Sequence, residues 1–294
     1  MDYVITSYCI AILLFTAVLS STGAHAAEEE SFPTASVSLG VEYASGKYGT
    51  DITTDTVYMP LMVTWFPTPR LDVGAEIPFV YQSSSLVTTD IFRTPQVNGA
   101  AKAVARRGGP GGVGGNQAAA SSNGAGAAEP ATYGMGDIIL RIGYVALVEG
   151  LRAPRIRPSL FVKFPTASTA TERDGLGTGE FDAGAGVEMS KWFDDLIVTA
   201  EAFFNYQGKA AGMGLKNYAS YTAGAGYQLT DRFLPLLLVK GASKPAEDAT
   251  DLLELRAKGI YEITRKSGIE MYASKGITDS SPDYGGGVTM YYNF

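Results

Sequence analysis

Residues 284–294 read YGGGVTMYYNF. Taken with a period of two, Tyr284, Gly286, Val288, Met290, Tyr292 and Phe294 share one face, and Gly285, Gly287, Thr289, Tyr291 and Asn293 take the other. The first face suits hydrocarbon and the second suits water, so the stretch predicts a strand lying between two environments. The same alternation recurs upstream. It is cleanest over 71–82, where Leu71, Val73, Ala75, Ile77, Phe79 and Tyr81 oppose Asp72, Gly74, Glu76, Pro78, Val80 and Gln82. Residues 35–43, 57–65, 138–148, 156–164, 181–189, 196–206, 219–229 and 253–263 repeat it, and 233–242 and 269–274 do so weakly. With the terminal stretch these make about twelve strands, or about ten if the weak pair is dropped.

The connections alternate in length along the chain. Residues 67–70, 191–195, 230–232 and 264–268 are short turns and 149–155 is slightly longer, whereas 45–55, 83–133, 165–178, 208–216, 243–251 and 276–283 are longer and polar. An even set of antiparallel strands with short turns at one end and long loops at the other is the pattern of an outer-membrane barrel, both of whose termini lie in the periplasm. No stretch beyond residue 26 offers the ~20 consecutive apolar residues of a spanning helix. A membrane protein without such helices must close a barrel to satisfy its backbone. The predicted fold is therefore all-β, a single antiparallel transmembrane β-barrel over 27–294, with 83–133 as a long low-complexity outer loop.

Closure requires residues 284–294 to pair antiparallel with 34–44, placing Asn293, Tyr291 and Thr289 in the lumen and Phe294 in a periplasmic aromatic girdle. Trp65, Phe66, Trp192, Phe193, Phe233 and Tyr261 fall near the same end, and Tyr43, Phe79, Tyr81, Phe164, Phe204, Tyr206 and Tyr284 near the other. The expected partners are outer-membrane lipid around the wall, a small-molecule solute inside it, and the barrel-assembly machinery. A last strand ending in Phe, with apolar residues two, four and six places earlier, resembles the signal that this machinery reads. Pro60, Pro78 and Pro158 lie inside strands, where each removes a ladder donor and predicts irregular pairing.

Residues 9–20 (CIAILLFTAVLS), followed by Ala24-His25-Ala26, read as a secretory signal peptide occupying 1–26, although Asp2 and the lack of Lys or Arg depart from the usual start. The single Cys and single His of the chain, Cys9 and His25, both fall in that segment. Thiol nucleophiles, disulfides, Ser-His hydrolysis and imidazole or thiolate metal sites lose their parts. No catalytic residue, cofactor or metal is expected, and the protein is not read as an enzyme. A net charge of −7 argues against a nucleic-acid partner. Asp174, Glu180 and Asp182 could attract a cation at the outer rim, but their spacing matches no regular ligand pattern.

Residues 97–128 are Gly- and Ala-rich with almost no large side chain, a composition that cannot bury enough surface to order itself. They read as a disordered outer loop or as a flap dipping into the pore, with Lys102, Arg106 and Arg107 as its charges. The glycines form no phosphate loop, because no Gly-Lys-Ser/Thr follows.

The face opposite the apolar set is charged. Its acids are Glu42, Asp72, Glu76, Asp137, Glu180, Asp182, Glu188, Glu201, Glu254 and Glu270. Its bases are Arg141, Arg157 and Lys163 on the fourth and fifth strands, Arg256 and Lys258 on the tenth, and Lys240 on the ninth if its register holds. On a twelve-stranded barrel the two basic groups lie on opposite walls, so they predict either basic ladders across a hydrated lumen or ion pairs that fill it. Eight strands are filled by side chains and sixteen leave a channel, so twelve predicts a narrow pore. Inward Gly40, Gly74, Gly143, Gly184, Gly186, Gly224, Gly226, Gly285 and Gly287 are expected to leave room.

Three motifs carry a resemblance: Gly134-Met135-Gly136-Asp137, the run Pro158 to Thr166 (PSLFVKFPT), and Gly175-Leu176-Gly177-Thr178-Gly179-Glu180-Phe181-Asp182. They resemble the exported barrels named for the meta-pathway of phenol degradation, over about residues 36–294 and without the Gly/Ala-rich insert. That resemblance implies a transporter of small aromatic or other apolar metabolites. Two functions stay open: a channel or transporter with a narrow charged lumen, and a structural or surface-interaction barrel whose lumen is filled by salt bridges.

Overall fold

The computed structural model describes residues 32–48, 53–83, 87–88, 119–120, 131–167, 176–209, 214–247 and 249–294. The expected signal peptide, Asp174, and the Gly/Ala-rich stretch apart from residues 119–120 lie outside these. Twelve wall strands run in chain order: β1 (Ala35–Gly46), β2 (Thr54–Thr68), β3 (Leu71–Gln82), β4 in two parts (Thr132–Met135 and Ile138–Tyr144), β5 (Arg155–Phe164) and β6 (Asp182–Phe193). The second half comprises β7 (Leu196–Tyr206), β8 (Tyr218–Tyr227), β9 (Phe233–Ala242), β10 (Leu252–Glu262), β11 (Ser267–Gly276) and β12 (Tyr284–Asn293). Each pairs antiparallel with its neighbours in sequence, and β1 pairs with both β2 and β12, so the ring closes. The weakly alternating β9 and β11 are full strands, which fixes the count at twelve. Among the described residues no helix is long and apolar enough to cross a membrane.

The closing seam has the register that the sequence requires. Partners run from Ser36 with Asn293 to Ser45 with Tyr284. The Thr34 N–H donates to the Phe294 carbonyl at 3.0 Å, and the Phe294 N–H donates to Ala35 at 2.9 Å. These bonds use the last backbone groups of the chain, leaving no open edge at the seam.

Proline placement explains the division of β4 into two parts. Phe79 pairs with Met135 while Glu76 pairs with Ile139, so β4 carries one extra residue at Gly136–Ile138, opposite Pro78. Pro78 has no N–H to offer the ladder there, and the Gly136 N–H donates to its carbonyl at 3.0 Å. The irregular pairing expected at Pro60 and Pro158 occurs on one side of each: Pro60 keeps register with Pro78, but the β1–β2 ladder skips from Leu39–Leu61 to Glu42–Tyr58. Pro158 pairs with Val187, while the β4–β5 ladder stops at Gly143–Ser159 and resumes only as an isolated bridge between Leu147 and Ile156. β4 ends at Tyr144 rather than Val148, and the following periplasmic connection is correspondingly longer.

The two faces of the wall separate cleanly. Outward positions such as Val63, Leu140, Leu160, Val198, Leu255 and Val288 are exposed and apolar. Outward charges occur only at the strand ends, at Asp55, Lys191 and Lys275. Exposed Trp65, Tyr144, Phe193, Tyr227, Tyr261 and Phe294 ring one end, and exposed Tyr43, Tyr81, Tyr133, Phe181, Phe204, Tyr206, Tyr221 and Tyr284 ring the other. A closed barrel with an apolar belt between two aromatic girdles is a barrel of the bacterial outer membrane. Two aromatics expected in the girdles belong elsewhere. Phe66 is buried, and Trp192 packs against an apolar cluster inside the barrel. Phe66 and Trp192 share the parity of the inward residues on β2 and β6, which their position near a turn did not reveal.

Candidate functional site: the barrel lumen

Every charged residue expected to line the lumen is buried within the ring except Glu180. Glu180 lies in the bend before β6 and is half-buried, because the strand starts at Asp182. The remaining charges sit mostly in small groups spanning adjacent strands. Arg157 on β5 engages Asp72 on β3 through two hydrogen bonds, its Nε donating to Oδ2 at 2.9 Å, and Glu188 on β6 through Nη1. Lys163 Nζ lies 2.8 Å from Asp182 and 3.1 Å from Asp137. Arg256 donates twice to Glu254 on its own strand, and its guanidinium stacks 4.0 Å from the centre of the Tyr272 ring. Tyr272 in turn donates to Glu42 at 2.7 Å, and Lys258 pairs with Glu270 at 2.7 Å. The Tyr58 hydroxyl donates to Glu76 at 2.6 Å, and that of Thr222 to Glu201 at 3.2 Å. Most of these pairings join neighbouring strands, but Arg157 with Asp72 and Tyr272 with Glu42 each reach across an intervening strand.

Three cations keep donors without partners: Arg141 at Nη1, Arg155 at Nε and Nη2, and Lys240 at Nζ. Arg155 was not among the residues expected in the lumen. It is the first residue of β5, and its parity with Arg157 was the signal that could have placed it there.

The inward glycines do not leave empty space. A methyl added at Gly143 would overlap the Arg157 guanidinium, and one at Gly74 would lie 2.6 Å from Arg141 Nε. Arg157 therefore crosses β4 at Gly143 to reach β3. Arg141 crosses β3 at Gly74 and points Nη2 at the Met62 sulfur, 3.6 Å away on β2. The rings of Phe161 and Phe203 likewise lie over Gly184 and Gly186, with centroids 6.3 Å apart. Each of these four glycines is a passage for a neighbour's side chain.

The inner wall also carries apolar surface. Phe161, Phe203 and Ile139 form one cluster. Ile197, Leu234, Leu236 and Leu238 form a second on the periplasmic half, with Trp192 and Ile260 against it. Leu234, Leu236 and Leu238 share a face with Lys240 on β9, so the wall changes from apolar to cationic along one strand. The sequence reading missed these residues because it assigned the inward face by charge. At the outer mouth, Tyr48 is buried with a left-handed backbone (φ 49°), and burial raises its hydroxyl pKa well above that of a free tyrosine.

No curated protein matches the sequence. Among solved structures the chain is similar to the NanC porin, at 9% identity over 88% of this chain and 98% of that one, with a TM-score of 0.50. It is also similar to the KdgM porin, at 9% identity over 88% and 99% with a TM-score of 0.48. The toluene transporter TodX of P. putida aligns at 13% identity over 88% and 77%, with a TM-score of 0.44. A family model described as "Putative MetA-pathway of phenol degradation" matches residues 77–294, from the middle of β3 through the closing strand, and the chain belongs to that family.

Proposed function

We propose that the barrel carries small solutes of mixed apolar and hydrogen-bonding character, aromatic metabolites among them, across the outer membrane. The observation that carries this reading is the amphipathic inner wall. The Ile197–Leu234–Leu236–Leu238 cluster lies beside Lys240, whose ammonium has no hydrogen-bonding partner. A ring with one polar substituent matches such a wall at both ends, and a buried cation without a partner favours a solute that supplies an acceptor. The family's name, with its reference to phenol degradation, agrees with this class of solute. In this reading residues 1–26 are a secretory signal, 27–294 the barrel, and the strand ending at Phe294 the segment that the assembly machinery reads.

The test is flux through refolded protein in vesicles, with phenol, benzoate and a sugar of similar size as probes. Faster entry of the aromatic probes than of the sugar supports the proposal; equal rates remove the aromatic preference. Planar-bilayer recording asks separately whether the lumen is hydrated. Absence of conductance even after deletion of 97–128 refutes a water-filled pore.

A second reading has its own support. The groups around Arg157, Lys163, Arg256 and Lys258 are buried and paired, as in a structural barrel with a salt-bridge-filled lumen. It predicts neither conductance nor flux for any probe.

A further inference from the structure

The described ends of the connection between β5 and β6, residues 165–167 and 176–181, turn back onto the barrel. Ala167 and Leu176, one at each end, are buried in one cluster with Tyr58 of β2 and Val80 of β3. Both partners face inward, and β3 is separated from β5 by β4. To reach them, the loop ends must pass over the inner face of β4 at the outer mouth. The crossing point is the bulge at Gly136–Asp137. A side chain on Gly177 would meet the Ala167 methyl at 2.8 Å and Asp137 Oδ2 at 2.9 Å, so the backbone passes directly against that carboxylate.

Charge holds this arrangement. Lys163 Nζ, at the end of β5, lies 3.1 Å from Asp137, 2.8 Å from Asp182 and 3.2 Å from the Thr178 hydroxyl. Asp137 also accepts the Ala167 N–H at 2.9 Å, and Asp182 the Gly208 N–H at 2.8 Å. The Thr166 hydroxyl accepts the Ile138 N–H at 2.8 Å. One lysine thus ties β4, β6 and both ends of the loop together, with the lysine and both aspartates less than one-tenth exposed. The three sequence motifs, far apart in the chain, meet at this point.

We propose that Lys163, Asp137 and Asp182 form a latch holding Thr166–Ala167 and Leu176–Thr178 against the inner wall at the outer mouth, so that these held segments set the size of solute admitted. The inference rests on the transport reading for its consequence and on geometry for the latch itself. Asp182, committed to Lys163 and to a backbone N–H, serves here as an anchor for the loop rather than as a rim cation ligand.

Val80 supplies the reporter, being 1% exposed on a rigid strand beneath Ala167 and Leu176. In a chain carrying Cys9→Ser, Val80→Cys is labelled in vesicles with a membrane-impermeant maleimide added from outside. Two independent changes release the latch: Lys163→Met combined with Asp137→Asn and Asp182→Asn, which leaves no buried charge unpaired, and Gly177→Val, which removes no charge. Heat-modifiable migration selects the folded barrels. Labelling is expected to rise at least tenfold in both, and the largest sugar admitted in vesicle-swelling assays to increase. Unchanged labelling in both folded variants overturns the latch. Faster labelling with an unchanged size limit overturns these held segments as the constriction. Faster labelling in a barrel that passes no solute before or after release leaves the latch standing and refutes transport.

Discussion

Replacing Gly143 with alanine tests how the inner wall is built. An alanine in a strand ordinarily gains roughly 0.5–1 kcal/mol over glycine, because less backbone entropy is lost on folding. Here the sign reverses. The new methyl would overlap Cζ and Nη2 of Arg157 and lie 2.5 Å from its Nε, so the guanidinium must leave Asp72. Two charge-assisted hydrogen bonds are lost, at roughly 1.5–3 kcal/mol each. Asp72, 4% exposed, is then left buried without its arginine partner. Separating a buried pair costs about 3–5 kcal/mol, and the retained contact between Arg157 and Glu188 places the expected loss at the lower end, about 3 kcal/mol.

The assay is urea unfolding in lipid vesicles, followed by the fluorescence of Trp65 and Trp192, the only two tryptophans in the chain. Gly150→Ala is the control, since its added methyl meets nothing within 4 Å and should change stability by less than about 0.5 kcal/mol. Repeating Gly143→Ala in an Asp72→Asn background isolates the crossing, and the loss should shrink there by roughly 2 kcal/mol. A loss below about 1 kcal/mol, or the same loss in both backgrounds, refutes the crossing as the reason for glycine at this position.

Leu160→Arg places a charge on the lipid face at mid-strand of β5 and should cost about 2–4 kcal/mol in vesicles, whereas the inward Thr199→Val on β7 loses one long hydrogen bond to the Met189 carbonyl and should cost no more than about 1.5 kcal/mol; equal costs would contradict the assignment of faces. Phe203→Ala removes the ring over Gly186, with an expected loss of about 3–5 kcal/mol and, if the lumen conducts, a larger single-channel conductance. Phe294→Ala removes an edge-on ring 4.9 Å from Tyr292 at the periplasmic rim. It should slow assembly in cells while leaving the urea midpoint of the purified barrel nearly unchanged, and an unaltered assembly rate would remove Phe294 from the recognition signal.

How far the site could be read in advance differs residue by residue. Leu71–Gln82 was legible in full, because alternation and strand length are properties of consecutive residues. The inward parity of Arg157 and Glu188 followed from the same rule, but their engagement with each other and with Asp72 did not. Asp72 lies 85 residues from Arg157 in sequence, and their contact depends on a glycine in a third strand. The bulge opposite Pro78 was anticipated only as an irregularity. Its position on the β4 side follows from which strand could yield a residue, and only the pairing decides that. Leu176 looked like one residue of a polar outer loop, and its burial against Val80 depends on the path of the loop over β4.

Composition and a period-two pattern were enough to determine a closed barrel of antiparallel strands, the face of each strand that meets lipid, and the end at which the chain terminates. Those features follow from local geometry and from the need to satisfy every backbone group in a membrane. Tertiary structure alone decided which charges pair with one another, which glycines carry a neighbour's side chain, and that Ala167 and Leu176 pack against Tyr58 and Val80. Each of these depends on distances across the ring between residues far apart in the chain, and a repeating alternation along each strand contains no record of them.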